Sequence, residues 1–142
     1  MPIKMLKFSI ITFLIILSNL AMAQSNPESK NDHFPFNIGE KGAIMVFLSD
    51  PPLYPRYKDI FEKYGYSGNG YCWEGHIVQI LEKLDPQLLK HLDLDPEAGA
   101  FFANAENEKF QLEFVRLLSP IFFNENELVK WIKKADKTRI SD

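Results

Sequence analysis

Alternating and continuous apolar segments predict a small β-sheet. Apolar and polar residues alternate over 34–38, which is typical of an edge strand, and residues 43–48 are continuously apolar, as in a strand buried on both faces. The glycine-containing segment 39–42 has the composition of a turn, so these two strands are expected to form a hairpin. Residues 98–103, built largely of small residues, predict a further buried strand.

Apolar residues spaced three and four positions apart predict the helices. These helices are expected at 57–64, 73–84, 88–92, 110–121 and 124–135. Gly65 is placed to end the first helix, Asp85 to cap the third and Asn124 to cap the last. Pro120 is expected to interrupt the fourth, and residues 93–97 to form an acidic turn. We therefore predict an α+β fold: a small, mainly antiparallel sheet of about three or more strands, covered by four to five helices in a single domain.

The first residues predict export. Lys4 and Lys7 precede an apolar stretch that ends in the small-x-small sequence 21–23, so we expect a cleavable signal peptide at 1–23 and a periplasmic mature protein. A membrane anchor is the alternative, but the stretch of about thirteen residues is shorter than the roughly 20 that span a bilayer. The rest of the chain is expected to divide into a flexible tether at 24–33, a folded domain at 34–136 and a polar tail at 137–142 that frays.

Charge and cysteine content narrow the class of partner. Loss of the signal peptide leaves 14 of the 16 basic residues against all 19 acidic ones, a net charge of −5. That balance disfavours nucleic-acid binding, which needs a basic surface, and it suits a basic partner.

Cys72 is the only cysteine, so it cannot form an internal disulfide, and we expect a buried thiol rather than a reactive or intermolecular one. No cofactor is predicted.

Few residue patterns point to catalysis. The chain contains no nucleophile elbow, no phosphate-binding glycine loop and no zinc-protease helix motif. Cys72 and His76 have the spacing of a nucleophile and base or of two metal ligands, but no third ligand accompanies them, so neither catalytic nor metal-binding residues are predicted. Glu74 with Asp95 or Glu97 could supply paired carboxylates, and an exported hydrolase of cell-envelope polymers is therefore kept as the alternative function.

The glycine-rich segment 65–75 is the most unusual part of the chain. Gly68 and Gly70 bracket Asn69, and because these residues tolerate positive φ, the backbone can turn tightly into the following helix. The segment also carries three large aromatic residues, Tyr66, Tyr71 and Trp73. They indicate either a rigid connection with a core tryptophan or an aromatic binding surface, and the two interpretations can coexist.

Two motifs carry a resemblance to a known family. The sequence Gly-Tyr-Ser-Gly-Asn-Gly-Tyr-Cys-Trp-Glu-Gly at 65–75 resembles the signature of the immunity protein 51 family, and so does Asp-Pro-Glu-Ala-Gly-Ala-Phe at 95–101. The similarity extends over roughly residues 34–135. The family-like positions are Gly68, Asn69, Gly70, Trp73, Asp95 and Glu97. With their neighbours Tyr66, Tyr71 and Glu74 they form the candidate partner-binding set.

The resemblance implies a non-enzymatic α+β immunity protein of a bacterial polymorphic toxin system. Such a protein is encoded beside a toxin, binds it and protects the producing cell and its kin. The expected partner is thus a cognate protein toxin, met in the periplasm or at the envelope if the signal peptide is cleaved. After cleavage we expect no membrane span, and the oligomeric state is left open.

Overall fold

The computed structural model describes residues 33–51 and 53–142. The predicted signal peptide and most of the predicted tether therefore lie outside the described residues. Among the helices that the model describes, none is long and apolar enough to cross a bilayer.

Four antiparallel strands form one sheet. They are β1 (Asn37–Ile38), β2 (Ala43–Phe47), β3 (Leu92–Leu94) and β4 (Ala100–Ala105), arranged in the order β1-β2-β4-β3. The two central strands pair along the whole of β2, with Ala43 opposite Asn104 and Phe47 opposite Ala100. A glycine is required just before β2, because Gly42 has a φ of 84° and a Cβ there would collide with the carbonyl of Ala105.

Four α-helices complete the domain and confirm the α+β prediction. They are α1 (Leu53–Lys63), α2 (Gly70–Leu84), α3 (Glu108–Phe123) and α4 (Glu125–Lys134). Short 3-10 turns lie at Glu40–Gly42, Leu88–His91 and Lys137–Arg139. An asparagine caps each of the last three α-helices, since Asn69, Asn107 and Asn124 accept hydrogen bonds from backbone N–H groups of the first turn.

The core lies between one face of the sheet and the helices. Trp73 is at its centre and is fully buried, stacked on Phe122 of α3 with ring centroids 4.7 Å apart. From the sheet, Ile44, Val46 and Phe101 are also fully buried. The expectation that residues 43–48 are buried on both faces is wrong, because the alternate side chains of β2 point away from the helices and Phe47 is 39% exposed.

Two predicted elements differ from the structure for reasons of packing. The sequence predicts the end of a helix and the start of an acidic turn at Leu92–Leu94, but these residues form β3. They pair with β4 across a two-residue turn at Ala98 and Gly99. Pro120 does not interrupt α3, which continues to Phe123. Burial of Ile121 and Phe122 in the core stabilises this last turn more than the missing backbone hydrogen bond destabilises it.

The C-terminal tail is held against the domain, so the expectation that it frays is wrong. The Arg139 guanidinium makes two hydrogen bonds to the Glu82 carboxylate on α2, at 2.9 and 2.6 Å. Ile140 packs closely on Gly75, where a side chain larger than hydrogen would not fit unless Ile140 moved. Sequence reasoning missed these contacts because they join residues more than fifty positions apart.

Candidate functional site

The glycine-rich segment forms a tight, internally bonded connection between α1 and α2. Gly65 and Gly68 have φ values of 82° and 74°, in the left-handed region that favours glycine. The Asn69 side chain then accepts a hydrogen bond from the N–H of Cys72 at 2.8 Å, and its own N–H donates to the Ser67 hydroxyl at 3.1 Å. The loop is therefore fixed up to the first residue of α2.

The two sequence motifs meet at Gly70. Its N–H donates to the carbonyl of Ala98 at 3.3 Å, so the start of α2 rests on the turn of the β3–β4 hairpin. A Cβ at this position would lie far closer than 3.0 Å to the carbonyl oxygens of Glu97 and Ala100. Only glycine allows this approach, and it joins two motifs that are about 25 residues apart in the sequence into one structure.

The C-terminal tail contacts the same loop on another side. The Lys137 ammonium donates to the carbonyl of Gly65 at 2.6 Å, and the N–H of Ser67 donates to the Asp142 carboxylate at 2.9 Å. The loop is thus held by the hairpin turn and by the tail together. No sequence signal marked the tail as part of this site.

The three aromatic residues of the segment have different environments. Tyr66 and Trp73 are 6% and 0% exposed, so they shape the fold and present no surface to a partner. The Trp73 indole contacts Tyr57 and Phe36 edge-on, at centroid distances of 4.9 and 6.3 Å. Only Tyr71, which is 38% exposed, is available as an aromatic contact residue.

The predicted carboxylates lie on two layers of the domain. Glu74 is partly buried on α2, and burial raises its pKa. Asp95 and Glu97 are exposed and follow β3, alongside β4. Within the described chain, no hydrogen bond or ion pair joins the side chain of any of the three to another residue. Asp95 and Glu97 are therefore free to pair with an external cation.

An apolar groove borders the junction of the two motifs. It has a volume of about 260 Å³ and runs between the N-terminal end of α1, the glycine loop and the hairpin turn. Leu53 and Tyr54 line its apolar side, while Lys58 stands at its edge in an ion pair with Glu62 at 3.1 Å. Tyr54 is 49% exposed, so the groove has an accessible aromatic ring of its own, in addition to Tyr71, which does not line the groove.

Cys72 and His76 are unsuited to catalysis. Both side chains are inaccessible, at 0% and 1% exposure. Burial raises the pKa of the Cys72 thiol to about 12, so the nucleophilic thiolate is suppressed. Burial also lowers the pKa of His76 to about 4, so the ring is neutral near pH 7. Among the described residues, no group of three or more His, Cys, Asp or Glu side chains is placed to hold a metal ion.

Comparison with known proteins gives one result. A family model described as "Immunity protein 51" matches residues 42–137, a span that includes both motifs and all four helices. No curated protein and no solved structure matches the chain.

Proposed function

The chain belongs to the immunity protein 51 family, and we propose that it binds and neutralises a cognate bacterial toxin. The observation that carries the proposal is the convergence of the two family-like motifs at Gly70, which builds one rigid surface from the glycine loop and the hairpin turn. An inhibitor that works by binding needs such a preformed surface, because ordering mobile loops on association lowers affinity.

The accessible chemistry of the domain fits a binder and not an enzyme. Tyr71 and Tyr54 offer aromatic contact area, and Asp95 and Glu97 offer unpaired carboxylates. Glu74, the third carboxylate of the hydrolase alternative, belongs to the helical layer and is partly withdrawn from solvent. No observation therefore favours the hydrolase.

We also propose that the toxin is met outside the cytoplasm. The support is the signal-peptide pattern at 1–23, which would deliver the domain to the periplasm. Mass spectrometry of a periplasmic extract should find mature protein beginning at Gln24. Recovery of chains that retain Met1 in the membrane fraction would contradict cleavage and indicate an anchored domain.

Co-expression with the toxin encoded beside the gene tests the main proposal. We expect the full-length chain to restore growth of toxin-expressing cells and to co-purify with the toxin. A Trp73→Ala variant is the control, because loss of the core indole costs about 3–5 kcal/mol and should abolish protection through unfolding. Failure of the wild-type chain both to rescue growth and to form a complex would refute the proposed function.

A further inference from the structure

Among the described residues, one face of the sheet is left without helices and has an unusual arrangement of side chains. Strand register places three cross-strand rows on this face: Ala43–Asn104–Asp93, Met45–Phe102–Asp95 and Phe47–Ala100–Glu97. We call it the open sheet face. Each row runs from β2 across β4 to a carboxylate at the β3 edge, and Asn37 of β1 extends the middle row beyond Met45. An acidic row (Asp93, Asp95 and Glu97) therefore lines the β3 edge.

An apolar strip occupies the middle of the open sheet face. Phe47 and Phe102 contact each other edge-on, with ring centroids 5.6 Å apart, and Met45 lies directly opposite Phe102. Phe47 remains 39% exposed, and Met45 and Phe102 are only partly buried. Exposed aromatic and methionine side chains grouped in this way are typical of protein interfaces.

The acidic row is exposed and unpaired. Asp93 lies opposite Asn104, the N–H of Asp95 donates to the carbonyl of Phe102 at 3.0 Å, and Glu97 bridges Ala100. Because these pairs follow one continuous register, the three alternate side chains leave the hairpin on the same face. In the described part of the chain, none of the three carboxylates forms an ion pair or a side-chain hydrogen bond. None of the side chains in the three rows is cationic.

We propose that the open sheet face is the toxin-docking surface, and that the toxin meets it with a surface that is apolar at its centre and basic at one side. This inference rests on the proposed function and specifies where the toxin binds and what chemistry it presents. Asp95 and Glu97 of the candidate site lie in the acidic row, and the glycine loop supports their hairpin through Gly70. The apolar strip supplies buried area, while the acidic row speeds association and fixes the orientation of the partner. The net charge of −5 on the mature chain acts in the same direction.

Charge excludes the other occupants of this face. A second copy of the chain would bring another acidic row and, within the three described rows, no cation to pair with it, so like charges oppose association. Nucleic acids and anionic lipid surfaces carry negative charge and are repelled in the same way. A basic protein surface is the one partner class that both the apolar strip and the acidic row attract.

Charge-neutralising variants test the acidic row. The test variant carries Asp93→Asn, Asp95→Asn and Glu97→Gln, and the matched control carries Asp59→Asn, Glu108→Gln and Glu125→Gln at exposed positions on helices. Both change the net charge equally. The probe is the purified toxin encoded beside the gene, made inactive by substitution, and association rates are measured by stopped flow at several salt concentrations.

We expect the test variant to lose the electrostatic acceleration of toxin association that the acidic row provides. Its association rate at low salt should fall about tenfold and lose most of its salt dependence, while the rate of the control, which loses the same net charge elsewhere, should fall much less. If wild-type chain binds the toxin and both variants associate equally fast, the inference is overturned and the proposed function stands. If wild-type chain forms no complex, the proposed function fails and the inference fails with it.

Met45 provides a second readout that needs no variant. It is the only methionine after Gln24, and it lies on the open sheet face. Brief exposure to hydroxyl radicals should oxidise Met45 in the free chain and spare it in the toxin complex. Equal oxidation in both states would overturn the inference. Protection of Met45 in the free chain, with light scattering showing a dimer, would also overturn it, because the face would then be covered by a second copy.

Discussion

His76 is expected to make the domain less stable at mildly acidic pH. Its ring is 1% exposed and packs against Phe61 and Tyr66, with centroids 5.1 and 4.6 Å away. Its Nε2 atom has no hydrogen-bond partner among the described residues. Burial lowers the pKa of His76 from 6.5 to about 4, against the smaller opposing effect of the Asp142 carboxylate.

The sign and size of the effect follow from the two pKa values. Because the pKa is lower in the folded state, the unfolded chain binds the proton more readily as the pH falls below 6.5. The free energy of unfolding is therefore unaffected by His76 above that pH and decreases as the pH falls from 6.5 toward 4. With pKa values of 6.5 and about 4, the loss between pH 8 and pH 5 is about 2 kcal/mol.

Urea denaturation at pH 8 and pH 5, followed by tryptophan fluorescence, measures this loss. The matched variant is His76→Leu, which has a similar volume and no titrating group, so the decrease of about 2 kcal/mol should disappear in it. Hydrogen bonds from Arg139 and Arg116 lower the pKa values of the Glu82 and Glu113 carboxylates, and burial raises the pKa of Glu74. These carboxyl groups are present in wild type and in His76→Leu alike, so the difference between the two chains reports His76. Equal pH dependence in wild type and His76→Leu would refute the inference that His76 is buried in its neutral form.

Three further predictions concern the glycine loop and α2. Gly70→Ala should destabilise the domain by about 1–3 kcal/mol in urea denaturation, because the added Cβ collides with the hairpin turn. Gly99→Ala is the control and should be tolerated, because there is open space around Gly99. Equal losses of stability in the two variants would contradict the close packing at Gly70. Asn69→Ala should cost about 1 kcal/mol through loss of the α2 cap, and an unchanged denaturation midpoint would show that the cap contributes nothing. Cys72 should react with a thiol-specific dye at pH 8 only in denaturant, since burial raises its pKa to about 12; rapid labelling of the folded chain would contradict its burial.

Local features of the chain were predictable because they depend on neighbouring residues. The helical spacing of apolar residues predicts the four α-helices of the described residues, and the position of Asn124 before an apolar stripe predicts a helix cap. The fold class followed from the same patterns. For the candidate site, the glycine loop could be predicted to turn tightly, since the conformational freedom of Gly68 is a property of the residue itself.

Long-range packing determines which side chains are exposed, which local sequence patterns do not predict. The apolar run of β2 predicts a strand but does not show that the described helices cover only one of its faces, while Phe47 on the other face is 39% exposed. Likewise, Trp73 and Asp95 both belong to the family-like motifs, yet Trp73 is buried in the core and Asp95 is exposed on the surface. The sequence by itself determined the fold class, the positions of the described α-helices and the family. The tertiary structure determined which motif residues are accessible, because accessibility depends on which layers pack together and local periodicity does not encode that.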